Sequence, residues 1–100
     1  IGLMNTLSHI DSAVIMGHDV ESSSRVLEAA LESEAGYIGS IGAPRMQDQR
    51  ADWLAYRGVT DLSRVHGPAG LDVAAKNPAE IALSVIAEAV GHHNRRANAE

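Results

Sequence analysis

The sequence has no cysteine and no phenylalanine, and only three of its 100 residues are aromatic. Without cysteine the chain can form neither disulfides nor thiolate metal sites. Without large aromatic side chains, the hydrophobic core has to be built from alanine, valine, isoleucine and leucine. A core of this kind in so short a chain buries only a modest surface. We therefore expect one domain that gains stability from a partner surface.

Basic residues are few as well, because eight lysines and arginines stand against thirteen acidic residues and the net charge is −5. Nucleic-acid binding needs clustered basic residues. The one basic pair, Arg95-Arg96, lies in a polar C-terminal segment that we interpret as a solvated helix end. The longest apolar run is far too short to cross a bilayer, and we see no signal peptide. These observations argue against nucleic-acid and membrane partners and predict a cytoplasmic protein.

Short apolar runs alternate with segments of helical periodicity along the chain. The segments predicted as strands are 12–16, 37–42 and, with a weaker pattern, 62–66. The segments predicted as helices are 20–33, 44–57 and 78–90. Strands joined by helical crossovers form parallel sheets with helices on their faces. The order therefore predicts an α/β fold of three layers, with a parallel sheet of about three strands and crossover helices.

A parallel sheet of three strands leaves edges that need cover. The first predicted strand, 12–16, carries no charge or proline that would protect an edge. We expect its neighbour to come from another copy of the chain, from another chain, or from an N-terminal half that is missing here. In this interpretation residues 12–91 form the core of a single partial domain. Residues 1–11 are the tail of a preceding helix, and residues 92–100 are a polar C-terminal tail.

Ligands of parallel α/β sheets bind beyond the carboxyl ends of the strands, and three loops are predicted at that edge. The first loop contains His18 and Asp19. One interpretation makes Asp19 the N-cap of the following helix, with His18 exposed beside it. The other makes them a ligand-facing pair, in which the histidine can donate, accept or titrate near neutral pH.

The second strand and the loop after it contain Gly39 and Gly42. These glycines fit a close approach of the backbone to an anionic group, followed by a helix N-terminus that favours negative charge. Tight strand–helix packing explains them equally well. Arg45, in the first turn of that helix, is the candidate for a phosphate contact because its planar guanidinium suits bidentate binding. The glycines fall short of the dinucleotide fingerprint and no ribose-binding acid follows, so we do not expect NAD binding.

The third loop presents His66 and Asp72 around a turn that proline and glycine define. Together with His18 and Asp19, these residues could serve as nitrogen and oxygen ligands of a metal. No pair of them has the i, i+4 spacing of a helical metal motif, so we expect no metal site. The serines at 22–24 lack the surroundings of a hydrolase nucleophile, and we assign no catalytic residue.

Three stretches of the chain resemble one family. They are IDSAVIMGHDVE (10–21), ALESEAGYIGSIGAPR (30–45) and RVHGPAGLDVAAKNPAEIALSVIAEAV (64–90). They are similar to the C-terminal part of the xanthine dehydrogenase accessory proteins, the XdhC/CoxI family. The shared features are an aliphatic strand that ends in His-Asp, a Tyr-Ile-Gly-x-Ile-Gly strand and turn, and a histidine loop with Gly-Leu-Asp. The resemblance runs from about residue 10 to residue 91 and implies the second half of a Rossmann-like domain.

The resemblance also implies a cytoplasmic maturation factor that does not itself catalyse a reaction. Proteins of this family bind the molybdenum cofactor, protect it while its terminal sulfur is installed, and deliver it to xanthine dehydrogenase or a related molybdenum hydroxylase. They commonly self-associate. The implied partners of this chain are therefore such a hydroxylase, a sulfurtransferase, and either a second copy of the chain or the missing N-terminal half.

By the same resemblance, the expected cofactor-binding residues are His18, Asp19, Gly39, Gly42, Arg45, His66 and Asp72. A buried Leu71 would anchor the third loop. The chain departs from the family pattern at Ala43-Pro44, where a Ser-Arg pair is usual, and at Ala74, where glycine is usual. The first half of the Rossmann domain, with its glycine-rich nucleotide turn, is absent.

Two other functions stay open. The unprotected first strand could make the chain a non-catalytic assembly element that completes a parallel sheet with a partner chain. A nucleotide-binding oxidoreductase domain is a further alternative, which the missing glycine fingerprint and ribose acid disfavour.

Overall fold

The computed structural model describes residues 7–8 and 11–99 and shows a parallel sheet flanked by helices. Its six elements are β1 (Ser12–Ile15), α1 (Val20–Glu32), β2 (Tyr37–Ser40), α2 (Pro44–Tyr56), β3 (Val65–His66) and α3 (Pro78–Ala99). The strands lie in the order β1-β2-β3, and both pairs are parallel. This confirms the predicted α/β fold with a three-stranded parallel sheet and crossover helices.

Side chains of the central strand β2 alternate between the two faces of the sheet. Ile38 packs on the face covered by α1 and α2. The buried hydrophobic cluster on that face consists of Ala13, Ile15, Leu27, Ala30, Ala35, Ile38 and Leu54. Tyr37 lies on the opposite face, where its hydroxyl group reaches Glu88 of α3. The main apolar core therefore lies between the sheet and the α1–α2 pair, and α3 packs through the Tyr37–Glu88 hydrogen bond and the buried Val85.

Each helix begins where the local chemistry allows it. The Asp19 carboxylate accepts a hydrogen bond from the Ser22 N–H at 2.9 Å and caps α1. Pro44 stands in the first turn of α2, where no N–H donor is needed. The Asn77 side-chain oxygen accepts from the Glu80 N–H at 2.9 Å in the first turn of α3.

The third strand is shorter than predicted, with two residues instead of five. The chain turns before it, because the Val65 N–H donates to the Leu62 carbonyl oxygen at 3.0 Å. Arg64 in this turn extends its side chain to the carbonyl oxygens of Leu31 and Ala35, at 2.9 and 2.7 Å. Within residues 62–64, Arg64 thus hydrogen-bonds to the end of α1 and to the segment after it. These three residues do not pair with β2.

Helix α3 runs on to Ala99 and includes most of the segment predicted as a polar tail. Gly91 does not end it, since no proline follows and the residues after it are compatible with a helix. No helix in the described part of the chain, α3 included, has the length and apolarity needed to cross a membrane. Residues 1–6 and 9–10 of the predicted N-terminal tail lie outside the described residues. The domain boundaries at 11/12 and 91/92 stay a prediction.

Several large apolar side chains of β1, of the residue after it and of α3 are exposed. The exposed fractions are 39% for Val14, 66% for Met16, 68% for Leu83, 60% for Ile86 and 53% for Val90. Within the described residues, β1 pairs with a neighbouring strand on one side only. The exposed Val14 thus lies on a strand that has one open edge within the described residues.

Replacing Leu54 with alanine should lower the free energy of unfolding by about 2–5 kcal/mol, because truncation of this fully buried side chain leaves a cavity. Urea unfolding followed by the fluorescence of Trp53 measures the change. The matched control is Tyr56→Ala in the same helix, whose side chain is 94% exposed, and its effect should stay within about 0.5 kcal/mol. Equal effects of the two substitutions would contradict the described core.

Candidate functional site

The carboxyl ends of the three strands meet at one edge of the sheet, and the three loops lie side by side there. The Ile41 N–H donates to the Ile15 carbonyl oxygen at 2.8 Å, which connects the second loop to the end of β1. The Ala69 N–H donates to the Ser40 carbonyl oxygen at 3.0 Å, which connects the third loop to the end of β2. The loops therefore form one continuous surface.

A buried arginine from α2 lies behind this surface. Only 1% of the surface of Arg50 is exposed. Its guanidinium donates to Ser23 Oγ (3.0 Å), Ser40 Oγ (2.7 Å), the Ile41 carbonyl oxygen (2.7 Å) and the Gly17 carbonyl oxygen (3.3 Å). These acceptors belong to α1, β2 and the first two loops. One side chain thus fixes the relative positions of four segments.

The charge of Arg50 has no acidic partner in the described part of the chain. All four of its acceptors are neutral oxygens, and it takes part in none of the ion pairs there. Burial lowers the pKa of Arg50, because an environment of low polarity disfavours the charged form. A guanidinium nevertheless keeps its proton in proteins. A positive charge is therefore buried at the loop edge without a neutralising carboxylate.

Gln47, one helical turn before Arg50, extends this polar network to the third loop. Its amide nitrogen donates to the Ser40 and Gly42 carbonyl oxygens at 2.8 and 3.1 Å, and its amide oxygen accepts from the Ser40 hydroxyl group at 2.8 Å. A Cβ atom on Gly67 would lie only 2.8 Å from that amide oxygen. The third loop passes over Gln47 so closely that residue 67 has to be small.

A cleft of about 550 Å³ opens between the first and second loops. It is lined by Met16, Gly17, His18, Ile41, Gly42, Ala43 and Met46. A Cβ atom on Gly42 would come within 3.4 Å of Arg50 Nη1, and Arg50 also bonds to the carbonyl oxygen of Gly17. The cleft therefore has apolar walls, one histidine, and a buried positive charge directly behind its two glycines.

The structure brings two of the predicted site residues, His18 and Gly42, into this cleft. Arg45 is exposed in the first turn of α2, next to the lining residue Met46. The Asp19 carboxylate caps α1, and the hydrogen bonds from the Ser22 side chain and backbone lower its pKa. The capping interpretation of Asp19 thus holds, and ligand binding by these residues stays a prediction.

Gly39 lies beneath the third loop. A Cβ atom there would be 3.0 Å from the Cβ atom of Ala69 and 3.0 Å from the Tyr37 ring. The absence of a side chain at residue 39 is what allows the third loop to rest on β2. Close packing thus accounts for this glycine, and a contact of Gly39 with a ligand stays a prediction.

Glu88 of α3 holds the third loop on the opposite face of the sheet. Its Oε1 atom accepts hydrogen bonds from the Tyr37 hydroxyl group at 2.6 Å and from the Gly70 N–H at 3.0 Å. His66 Nδ1 lies 3.7 Å from the same oxygen, and the His66 ring stacks on Tyr37 at 4.8 Å between centroids. The His92 ring meets both rings edge-on, at 5.9 and 5.3 Å. His66 thus belongs to this cluster and is not among the residues that line the cleft.

The hydrogen bond between Tyr37 and Glu88 shifts the pKa of both groups. Burial and the bond to Glu88 raise the pKa of Tyr37 well above its ordinary value. Burial also acts to raise the pKa of Glu88, but the hydrogen bonds from Tyr37 and Gly70 outweigh it and hold that pKa below its ordinary value. At neutral pH the pair is therefore a phenol that donates to a carboxylate.

The prediction that Leu71 is buried is wrong, since its side chain is 49% exposed. The loop is held instead by its backbone, because the Leu71 N–H donates to the Ser84 carbonyl oxygen at 3.2 Å. Asp72 is exposed, and its carboxylate accepts from the Ala74 N–H at 3.3 Å. Ala74 has a φ of 53°, in the left-handed region that favours glycine.

The sequence patterns did not predict that Arg50, Gln47 and Glu88 organise the site. A signal existed for two of them. Arg50 lies four residues from both Met46 and Leu54 and hence on the apolar stripe of α2, and Glu88 stands inside an otherwise apolar stretch of α3. A charged residue on an apolar stripe predicts a buried charge with specific partners. Among residues 7–8 and 11–99, no group of three histidine or acidic side chains is arranged to hold a metal ion.

The chain is similar in sequence and in structure to known proteins. The model of the XdhC Rossmann domain matches residues 4–89. The molybdenum cofactor insertion chaperone PaoD of Escherichia coli K12 is 33% identical over 81 residues, which cover 78% of this chain and 26% of that protein. A crystal structure described as a xanthine dehydrogenase from Bacillus halodurans superposes with a TM-score of 0.71 at 29% identity, over 90% of this chain and 25% of that one. The chain spans about a quarter of the length of each of these relatives.

Replacing Glu88 with glutamine should lower the free energy of unfolding by about 1–2 kcal/mol at neutral pH, because an amide oxygen is a weaker acceptor for Tyr37 and Gly70. The folded-state pKa of Glu88 lies below the ordinary value of 4.5. Its contribution to stability is therefore complete above about pH 4.5 and is lost as the pH falls through the folded-state pKa. Urea unfolding at a series of pH values should show the wild-type and Glu88→Gln stabilities converging in acid.

Glu21→Gln is the matched control for this measurement, since Glu21 is exposed and its ion pair among the described residues is with the exposed Arg25. It should leave the stability at neutral pH nearly unchanged. If the free energies of unfolding of the wild type and Glu88→Gln differed by the same amount at every pH, including pH values well below 4.5, the described role of the carboxylate would be contradicted.

Proposed function

The chain belongs to the XdhC family through its Rossmann domain, and on this basis we propose that it is a molybdenum cofactor maturation module. In this role it binds the cofactor at the carboxyl edge of its sheet and helps to deliver it to a molybdenum hydroxylase such as a xanthine dehydrogenase, without catalysing a reaction itself. The observation that carries the proposal is the extent of the family match, which includes all three loops of this edge. The name of the relative PaoD, a molybdenum cofactor insertion chaperone, supports it.

The chemistry of the cleft fits such a cofactor. The molybdenum cofactor combines a flat fused heterocycle with an anionic phosphate group. The side chains of Met16, Ile41 and Met46 offer apolar and polarisable walls for a flat ring. The buried charge of Arg50 and the exposed guanidinium of Arg45 favour an anionic group. When bound, the cofactor supplies the molybdenum chemistry of the recipient enzyme, and the chain supplies binding and protection from water.

The predicted site residues divide into three groups in this proposal. His18, Gly42 and Arg45 lie in or beside the cleft and are the candidates for direct contact with the cofactor. Asp72 is the exposed acid of the third loop and is the candidate for contact with the part of the ligand that extends from the cleft. The described contacts of Asp19, Gly39 and His66 hold the loops in place.

The partners follow from the same proposal. The chain corresponds to about a quarter of its relatives, so we propose that a second copy or the N-terminal half of the domain completes the binding site. A sulfurtransferase would meet the module while the terminal sulfur of the cofactor is installed. These steps would take place in the cytoplasm.

The substitutions Arg45→Ala and Asp72→Ala should each weaken binding of the molybdenum cofactor by about tenfold, the effect of losing one charge-assisted contact of about 1.4 kcal/mol. The measurement is the molybdenum that co-elutes with the chain in anaerobic gel filtration, after incubation with cofactor released from a molybdenum enzyme.

Arg25→Ala and Asp52→Ala serve as matched controls, because they remove one exposed charge of the same sign from the outer surfaces of α1 and α2. They should bind as the wild type does. Unchanged affinity in both Arg45→Ala and Asp72→Ala would remove these residues from the site, and no retention of molybdenum by the wild type would remove the proposed function.

One observation favours a second function, that of a non-catalytic assembly element. Among the described residues one edge of β1 is open, Val14 and Met16 are exposed at this strand and just after it, and Leu83 and Ile86 of α3 are exposed as well. An apolar surface next to an unpaired strand is typical of a protein–protein contact. In this alternative a partner strand continues the sheet at β1, and the loops at the carboxyl edge are structural.

Charge at the open edge tests the alternative. Val14→Glu should abolish association, because a carboxylate would be buried in the contact. Val14 is 39% exposed and tolerates the change in the free chain, whereas Ile15 is 2% exposed and its substitution would test folding instead. Sedimentation velocity over a range of concentrations reports the association, and Tyr56→Glu at the far end of α2 is the control. An associated Val14→Glu variant, or a wild type that stays monomeric, would eliminate the edge-pairing function.

A further inference from the structure

The buried guanidinium of Arg50 has more donors than its described partners use. A guanidinium has five N–H groups. Four of them donate to Ser23, Ser40, Ile41 and Gly17, and one N–H on Nη2 has no acceptor among the described residues. Nη2 is also the nitrogen that bonds to Gly17, a residue of the cleft wall. The unused donor is therefore on the nitrogen that contacts a residue of the cleft wall.

The charge of Arg50 also has no partner of opposite sign among the described residues. A buried charge is costly unless an opposite charge or several hydrogen bonds compensate it. Arg50 has the hydrogen bonds but no carboxylate among the described residues. The apolar walls of the cleft screen this charge poorly, so its field extends into the cleft between Gly17 and Gly42. A group that enters the cleft meets a fixed positive potential that an anion would neutralise.

We propose that Arg50 is the positioning residue of an anion pocket in this cleft and that the pocket takes a phosphate or diphosphate group. The inference deepens the proposed function and rests on it only in placing the cofactor in the same cleft. Arg50 acts in two ways: its bonds to the Gly17 and Ile41 carbonyl oxygens set the spacing of the two loops, and its charge makes the space between them favourable for an anion. The oxygen atoms of the ligand meet the glycine backbone, and Arg50 stays behind it.

Inorganic pyrophosphate is the probe for the test, with the 100-residue chain labelled with nitrogen-15. Titration should shift the amide signals of Gly17 and Gly42 in a saturable manner. Arg50→Gln should weaken this binding by at least about tenfold, because the charge is lost, whereas Arg50→Lys should weaken it by less than about fivefold, because the charge is kept. If the role of Arg50 were purely structural, Arg50→Gln and Arg50→Lys would weaken pyrophosphate binding to the same extent.

Arg57→Gln is the matched control, since it removes one positive charge from the opposite end of α2, where Arg57 pairs with Glu28 at the surface. It should bind pyrophosphate as the wild type does. Thermal melting identifies a variant that does not fold. If Arg50→Gln fails to fold, the folded Arg50→Lys chain decides the question, and loss of binding there overturns the proposal. No saturable shift at Gly17 and Gly42 in the wild type overturns it as well.

Competition separates the sources of the anion and the two proposals. Displacement of pyrophosphate by the molybdenum cofactor supports the pocket as a phosphate site for that cofactor. Displacement by NAD and not by the cofactor supports the anion pocket and removes the proposed function. Retention of molybdenum by the chain without any pyrophosphate binding at Gly17 and Gly42 keeps the proposed function and overturns the role of Arg50.

Discussion

The guanidinium of Arg50 connects α1 with the loops that follow β1 and β2, by bonding to Ser23 and to Gly17 and Ile41, which lie beyond the last paired residues of those strands. Carbonyl oxygens at the ends of parallel strands lose their ladder partners and still need donors. A planar side chain with five donors can serve several of them at once, which the single ammonium group of a lysine cannot do with the same geometry. The positions of the loops therefore depend on a buried cation. The same cation places a fixed positive charge next to the cleft.

The two faces of the sheet are held by different forces. The α1–α2 face is an apolar core, in which Ile38 and Leu54 are buried. The α3 face is joined through the hydrogen bond and ring contacts of Tyr37, His66 and Glu88, with Val85 as the buried apolar residue of α3. This limited contact leaves several large apolar side chains of α3 uncovered. This asymmetry agrees with a domain that makes up about a quarter of its relatives.

Sequence patterns predicted those features that depend on residues close together in the chain, such as the position and the cap of a helix. The helix at 20–33 was found at Val20–Glu32 because its apolar spacing and the Asp19 cap are both visible in the sequence. The convergence of the loops followed from the parallel topology alone. The strand at 62–66 failed because Arg64 bonds to carbonyl oxygens about 30 residues away. Arg50 and Glu88 likewise act on distant partners, and the exposure of Leu71 depends on whether a covering surface exists in the same chain. These features depend on contacts between residues that are distant in the sequence, so no short segment of the sequence reveals them.

Gly70 links the third loop to α3 in a way that limits how the sequence can diverge. Its φ is 105°, and a Cβ atom there would overlap the hydroxyl oxygen of Ser84. A smaller residue at 84 would remove the overlap but not the unfavourable backbone conformation. Evolution can therefore exchange the exposed Asp72, while residue 70, two positions earlier in the same loop, remains closed to substitution. Tolerance of sequence change thus differs sharply between two neighbouring positions of one loop.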